Sequence, residues 1–154
     1  GIFRKNGVAM FSGVSTLNLD SKGRLAIPAK HRELLSVMSE NRVMITLNPE
    51  GCLLIYPKIE WLPVYEQLRK LSGTQAGIAR VILGFAEELE LDSAGRILVP
   101  TKLRELAGLD KEVALVGQGN KFELWHDASW TAKVQALMSI DKASLAEQMQ
   151  GIVL

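Results

Sequence analysis

Cysteine, histidine and long apolar runs are all scarce in this 154-residue chain, and each scarcity removes a class of function. The single cysteine, Cys52, forbids an intramolecular disulfide, in keeping with a cytoplasmic protein. It sits in the apolar run Cys52-Leu53-Leu54-Ile55-Tyr56 with no base beside it, and so reads as a small core residue rather than a nucleophile. Neither of the two histidines, His31 and His126, has a second His, Cys or carboxylate at a metal-ligand spacing, so no metal is expected. No apolar stretch approaches the roughly 20 residues of a membrane-spanning helix, and residues 1–9 (GIFRKNGVA) lack the apolar core of a signal peptide. GxSxG, P-loop and GxGxxG motifs are missing, which argues against an enzyme and against a cofactor.

What remains is a core-forming composition, 47% apolar and 23% charged, with a net charge of only +1. The charge is unevenly spread. Residues 1–86 hold 11 Lys/Arg against 6 Asp/Glu, whereas residues 87–154 hold 7 against 11. Chance unevenness is one explanation; the other is that a polyanion would meet the first half.

The chain contains itself twice. Leu17 to Leu35 (LNLDSKGRLAIPAKHRELL) aligns without a gap on Leu89 to Ala107 (LELDSAGRILVPTKLRELA), with 11 identities in 19 positions at an offset of 72. Two copies are too few for a solenoid, so they should pack on each other about a pseudo-two-fold axis. In each, alternating leucines predict a strand, and Asp20-Ser21-Lys22-Gly23 supplies an Asp that bonds its own backbone and a Gly that tolerates positive φ, hence a tight turn. A second short strand follows, then Pro28 as the expected first residue of a short helix. Val43–Leu47 and Cys52–Tyr56 flank the turn Asn48-Pro49-Glu50-Gly51, and Val113–Gly117 and Phe122–Trp125 repeat that hairpin. Apolar residues at helical spacing then predict helices over Val64–Leu83 and over Trp130–Met138, the latter with Asp127 as cap candidate and Trp61 and Trp130 as lids on the sheet. The expected fold is mainly β with α (α+β): a tandem, duplicated small β barrel with flanking helices.

An acid–base pair made of Asp20 and Asp92 is disfavoured, because each has an arginine four residues on and a turn to hold. The informative motif is D-S-x-G-R. It places Asp20, Gly23 and Arg24 at one protruding hairpin end, with Lys22, Lys30, His31 and Arg32 around it; the second copy has Arg96, Lys102 and Arg104, but Ala94 and Leu103 in place of Lys22 and His31. A pre-ordered arginine flanked by lysines suits a DNA groove, where Arg reads guanine edges. The plainer reading is that both Asp/Arg pairs lock turns and that Lys30 and Arg32 form a solvated helix face.

Several features taken together resemble the MraZ family, two swapped-hairpin modules related to AbrB-class bacterial transcription regulators. They are Met10-Phe11-Ser12-Gly13, the doubled LDSxGR, Pro28 with its following K-x-R-E, Leu54-Ile55-Tyr56-Pro57 with Trp61, and Gly117-Gln118-Gly119-Asn120-Lys121-Phe122-Glu123-Leu124-Trp125. The resemblance spans roughly residues 10–140 and implies modules at 10–84 and 85–154, with 1–9 an N-terminal extension or cloning remnant. It also implies a cytoplasmic, nucleoid-associated regulator, a repressor of its own division and cell-wall gene cluster. Such a protein binds double-stranded DNA at tandem promoter boxes as a homo-oligomeric ring, with no membrane and no small-molecule substrate. The implied DNA contacts are Asp20 and Arg24, with Asp92 and Arg96 as the second pair. The residue reading adds Lys22, Lys30 and Arg32 as phosphate contacts and weights the first copy above Arg96. Ser12 stands where some members carry Arg, removing one phosphate contact. The competing class is a non-catalytic assembly module whose basic hairpins dock an acidic protein partner.

Overall fold

The computed structural model describes residues 2–5 and 8–154. Residues 1, 6 and 7 of the expected N-terminal extension lie outside the described residues, while Ile2–Lys5 (β1) and Val8–Phe11 (β2) pair as an antiparallel hairpin that the repeat pattern does not announce. The first repeat then supplies β3 (Val14–Asn18), β4 (Arg24–Ala26), α1 (Ala29–Ser39), β5 (Arg42–Asn48), β6 (Cys52–Pro57), α2 (Lys58–Leu68) and α3 (Ala76–Gly84). The second supplies β7 (Glu87–Glu90), β8 (Arg96–Leu98), α4 (Thr101–Leu106), β9 (Glu112–Gly117), β10 (Phe122–His126), α5 (Asp127–Met138) and α6 (Lys142–Gln148). Four strands per repeat agree with the period-2 segments of the sequence.

The repeats interleave. The main sheet runs β3-β9-β10-β6-β5-β7, all antiparallel, so the first strand of each repeat pairs with the third strand of the other, and the pseudo-two-fold axis passes between β10 and β6. Among the described residues β4 and β8 pair only with each other, as a separate two-stranded ribbon, so the strands flanking each D-S-x-G-R turn do not form the expected hairpin but belong to different sheets. The molecule is therefore a mixed α+β fold built from a duplicated module; among the described residues the six-stranded ladder ends at β3 and β7 and does not close on itself.

Each face of the sheet has its own core. Leu53 and Ile55 point with Leu25, Ile27, Ile97 and Val99 of the ribbon into one cluster, while Cys52, Leu54 and Tyr56 point into the other, beneath Trp61, Leu68 and Ala79. β6 is buried on both faces, which is why its sequence is a continuous apolar run rather than an alternating one. Burial pushes the Cys52 thiol up to about 12, an inert core group. Trp61 is buried in this outer cluster and Trp130 packs against it half-exposed.

Two local expectations change. Pro28 occupies the position before α1 rather than its first turn (φ −54°, ψ 141°), and Pro100 does the same before α4. Asp127 is already helical; His126 takes the cap position of α5 with no side-chain cap bond, and the aspartate that does cap a helix is Asp141, accepting the Ser144 amide at 2.8 Å.

Candidate nucleic-acid interface

Both D-S-x-G-R segments fold into the same turn, nearly atom for atom. Asp20 Oδ1 accepts the backbone N–H groups of Lys22 (3.0 Å) and Arg24 (2.8 Å), and its carbonyl accepts Gly23 N–H (2.9 Å). Oδ2 accepts Arg24 Nε at 2.6 Å. Asp92 repeats the set with Ala94 N–H, Arg96 N–H and Arg96 Nε, each at 2.9 Å. The Arg24 amide first, and its guanidinium after that, hold the Asp20 carboxyl below its ordinary range against the opposing effect of partial burial; Arg96 does the same for Asp92. These carboxylates are ionised orienters. Each occupies the Nε edge of its arginine, and no hydrogen bond among the described residues engages the two terminal nitrogens.

The ribbon sets where the arginines stand. Arg24 faces Leu98 and Ala26 faces Arg96, so alternation sends these four side chains outward while Leu25 and Ile97 turn into the core. The outward surface is an apolar centre, with Leu98 56% exposed, flanked diagonally by two guanidinium groups whose side chains are 30% and 35% exposed. Lys22 is exposed on the first turn, and Lys30 is exposed with its ammonium close over Gly13.

The remaining expected residues lie elsewhere. Arg32, read from sequence as a phosphate contact at the first turn, lies against the second: its Nε donates to the Ile27 carbonyl at 2.8 Å, and a Cβ on Gly95 would sit 2.5 Å from its Cδ. Arg104 mirrors it, donating to the Val99 carbonyl at 3.1 Å with its guanidinium 2.5 Å from where a Gly23 Cβ would be. Each turn is thus floored by the other repeat's arginine, and Gly23 (φ +84°) and Gly95 (φ +77°) are required both for the backbone and for the room. His31, grouped in the sequence with the cationic residues, is buried edge-on against the contacting rings of Phe11 and Phe122, at 5.6 and 4.8 Å. Burial, aided by the Lys30 charge, lowers its pKa to about 4, so it is neutral at pH 7 and leaves the basic set.

The interleaving also moves charge across the boundary between the halves. An open groove of about 470 Å³ beside the first turn is lined by Asp20 and Ser21 together with Arg104, Asp110 and Lys111 of the acidic half. Its counterpart of about 300 Å³ beside the second turn is lined by Asp92 and Ser93 with Arg32, Glu33 and Asn41 of the basic half. Sequence reasoning missed Lys111 and set Arg104 at the second turn instead of the first, because it assigned each turn to one repeat. The available signal was that Gly23/Gly95 and Arg32/Arg104 are identical at the same offset, as partners exchanged about a two-fold axis must be. Among the described residues no group of three or more His, Cys, Asp or Glu could hold a metal, and no helix is long and apolar enough to cross a membrane.

Comparison with known proteins agrees with the duplication. The family model for the MraZ protein, described as antitoxin-like, matches twice, over residues 10–80 and 82–152. The chain is 45% identical over 148 residues to a protein of Methylobacillus flagellatus and 49% identical over 148 residues to one of Chromobacterium violaceum, in both cases covering 94% of this chain and all of the relative. A protein of Shewanella amazonensis is 48% identical over 135 residues, 85% of this chain and 89% of the relative. All three are named transcriptional regulator MraZ.

Proposed function

The chain belongs to the MraZ family, and from that premise we propose that it is a DNA-binding transcriptional regulator, as its relatives are named, and not an enzyme. The observation that carries the reading is Arg24: clamped through Nε by Asp20 across the turn that joins β3 to β4, with its terminal nitrogens in no hydrogen bond among the described residues, its side chain 30% exposed and Lys22 beside it. A guanidinium held in that way presents a rigid donor pair matched to guanine O6 and N7, and little conformational entropy is left to lose on binding. Arg24 is the principal base reader, Asp20 its orienter, and Lys22 and Lys30 contact phosphates. Arg96 makes the weaker second contact. Arg32 acts by flooring the second turn.

The finer reading is a nucleoid-associated repressor of its own division and cell-wall gene cluster, acting as a ring on tandem promoter boxes. A net charge of +1 favours many weak contacts over one strong one, since linked modules raise affinity by about 10²–10⁴ over a single site. Apolar surface for self-association is available. Val37, Ile59 and Leu62 line an open groove of about 740 Å³, and α5 exposes Val134, Leu137 and Met138; joining two such unlike surfaces head to tail is the kind of contact that closes rings.

Anisotropy titration of labelled duplex from upstream of the coding region, against a scrambled duplex, tests the reading. Selective binding that Arg24→Ala abolishes supports it. Equal competition by the scrambled duplex favours the alternative, an assembly module for an acidic partner.

A further inference from the structure

We propose that Lys111, carried by the second repeat, is a DNA-phosphate contact of the first repeat's turn; the inference rests on the DNA-binding reading above. The backbone fixes its position: the amide of Leu19, the residue before Asp20, donates to the Lys111 carbonyl at 2.8 Å. The Lys111 side chain is exposed and lines the groove beside Asp20, Ser21 and Arg104. That groove has the makings of an anion seat, with a hydroxyl from Ser21, a half-buried guanidinium from Arg104 and an ammonium from Lys111 set against the carboxylate of Asp110. Asp20 does not neutralise the ammonium, because its carboxylate is already satisfied by Arg24 and two amides, and among the described residues Lys111 has no ion-pair partner within 4 Å.

The second turn supplies an internal control. There the amide of Leu91 donates to the Asn41 carbonyl at 2.9 Å, so Asn41 holds the hydrogen-bonding place of Lys111, though on left-handed backbone (φ +63°) that Lys111 does not share. Across each turn and the arm facing it, Arg104, Glu105 and Asp110 are matched by Arg32, Glu33 and Glu40; the charges that differ are Lys22 against Ala94 and Lys111 against Asn41. The first turn thus gains its second extra cation from the half of the chain whose net charge is negative. A phosphate contact carries no sequence information, which sets the form of the test.

The full-length protein is titrated against the upstream duplex and a scrambled duplex over a salt series, as wild type, Lys111→Ala, Lys111→Glu, Asn41→Lys and Arg24→Ala. Lys111→Ala is expected to weaken both duplexes by the same factor, about threefold to tenfold, and to make the salt dependence shallower by about one counterion. Lys111→Glu should weaken both further; Asn41→Lys, with circular dichroism as the folding control because residue 41 has φ +63°, should tighten both. Unchanged affinity and salt slope in both Lys111 variants, with binding still lost in Arg24→Ala, would overturn this inference and leave the proposed function standing. A loss confined to the upstream duplex would overturn the phosphate assignment, since it would mean base reading. If Arg24→Ala and Lys111→Ala both bind as wild type does, the turn is not the interface and both readings fall.

Discussion

The two D-S-x-G-R turns share a hydrogen-bond pattern almost to the atom, yet they stand in different chemical settings. At the first, Lys22 and Lys111 add two cations; at the second, Ala94 and Asn41 occupy those places. What is shared is what the turn needs in order to form: the aspartate, the glycine and the arginine floor. What differs is what a partner would meet. A duplicated fold can therefore keep its scaffold symmetric while concentrating binding at one of two equivalent tips.

The largest expected difference lies in acid stability. His31 is neutral when folded, with a pKa of about 4 against 6.5 in the unfolded chain, and its Nδ1 has no partner among the described residues. Above pH 6.5 the two states bind the same protons and His31 contributes no pH dependence. As pH falls from 6.5 towards 4 the unfolded chain takes a proton that the folded one refuses, so about 3 kcal/mol of stability drains away across that window. His31→Leu, which copies the second repeat's Leu103, should flatten that part of a denaturation-versus-pH curve; an unchanged slope would mean that His31 is not the titrating group.

Arginine truncation comes next. Arg24→Ala should cost about 1–3 kcal/mol of DNA binding, some 5- to 150-fold, and Arg96→Ala measurably less, read by anisotropy with circular dichroism as the control for folding. Equal losses would erase the distinction between the tips. The glycines should instead behave alike: Gly23→Ala and Gly95→Ala each force a non-glycine residue to positive φ over an arginine, at a cost of about 1–2 kcal/mol in chemical denaturation. Unequal costs would show that the scaffold is less symmetric than its hydrogen bonds.

The repeat, the turns, the strand count and the family were legible in the sequence, because turn chemistry and period-2 patterning are local. The exchange of strands was not legible in the residues themselves and entered only as the swapped hairpins that the resemblance implies. Nothing in LNLDSKGR states that β3 pairs with β9 rather than with its own repeat, since either partner would bury Leu17 and Leu19 equally well. The misplacement of Arg32 follows directly, for an arginine eight residues after Arg24 is close along the chain yet serves the other tip. His31 misled for a different reason. A histidine between Lys30 and Arg32 looks cationic in a linear reading, but α1 turns it about 100° from each neighbour and into the core, against Phe11 and Phe122.

The smallest expected effect is the most direct test of the contrast. Ala94→Lys restores at the second tip the cation that Lys22 gives the first, at an exposed position whose backbone amide, already donating to Asp92 Oδ1 at 2.9 Å, is untouched by the change. If both tips approach DNA in the assembled protein, one added phosphate contact should tighten binding about two- to fivefold at low salt and steepen the salt dependence by about one counterion. The gain should be equal on upstream and scrambled duplexes. If only the first tip reaches the duplex, Ala94→Lys changes neither affinity nor slope while Lys22→Ala still weakens both, and the second repeat then serves as the floor of the first tip rather than as a second reader.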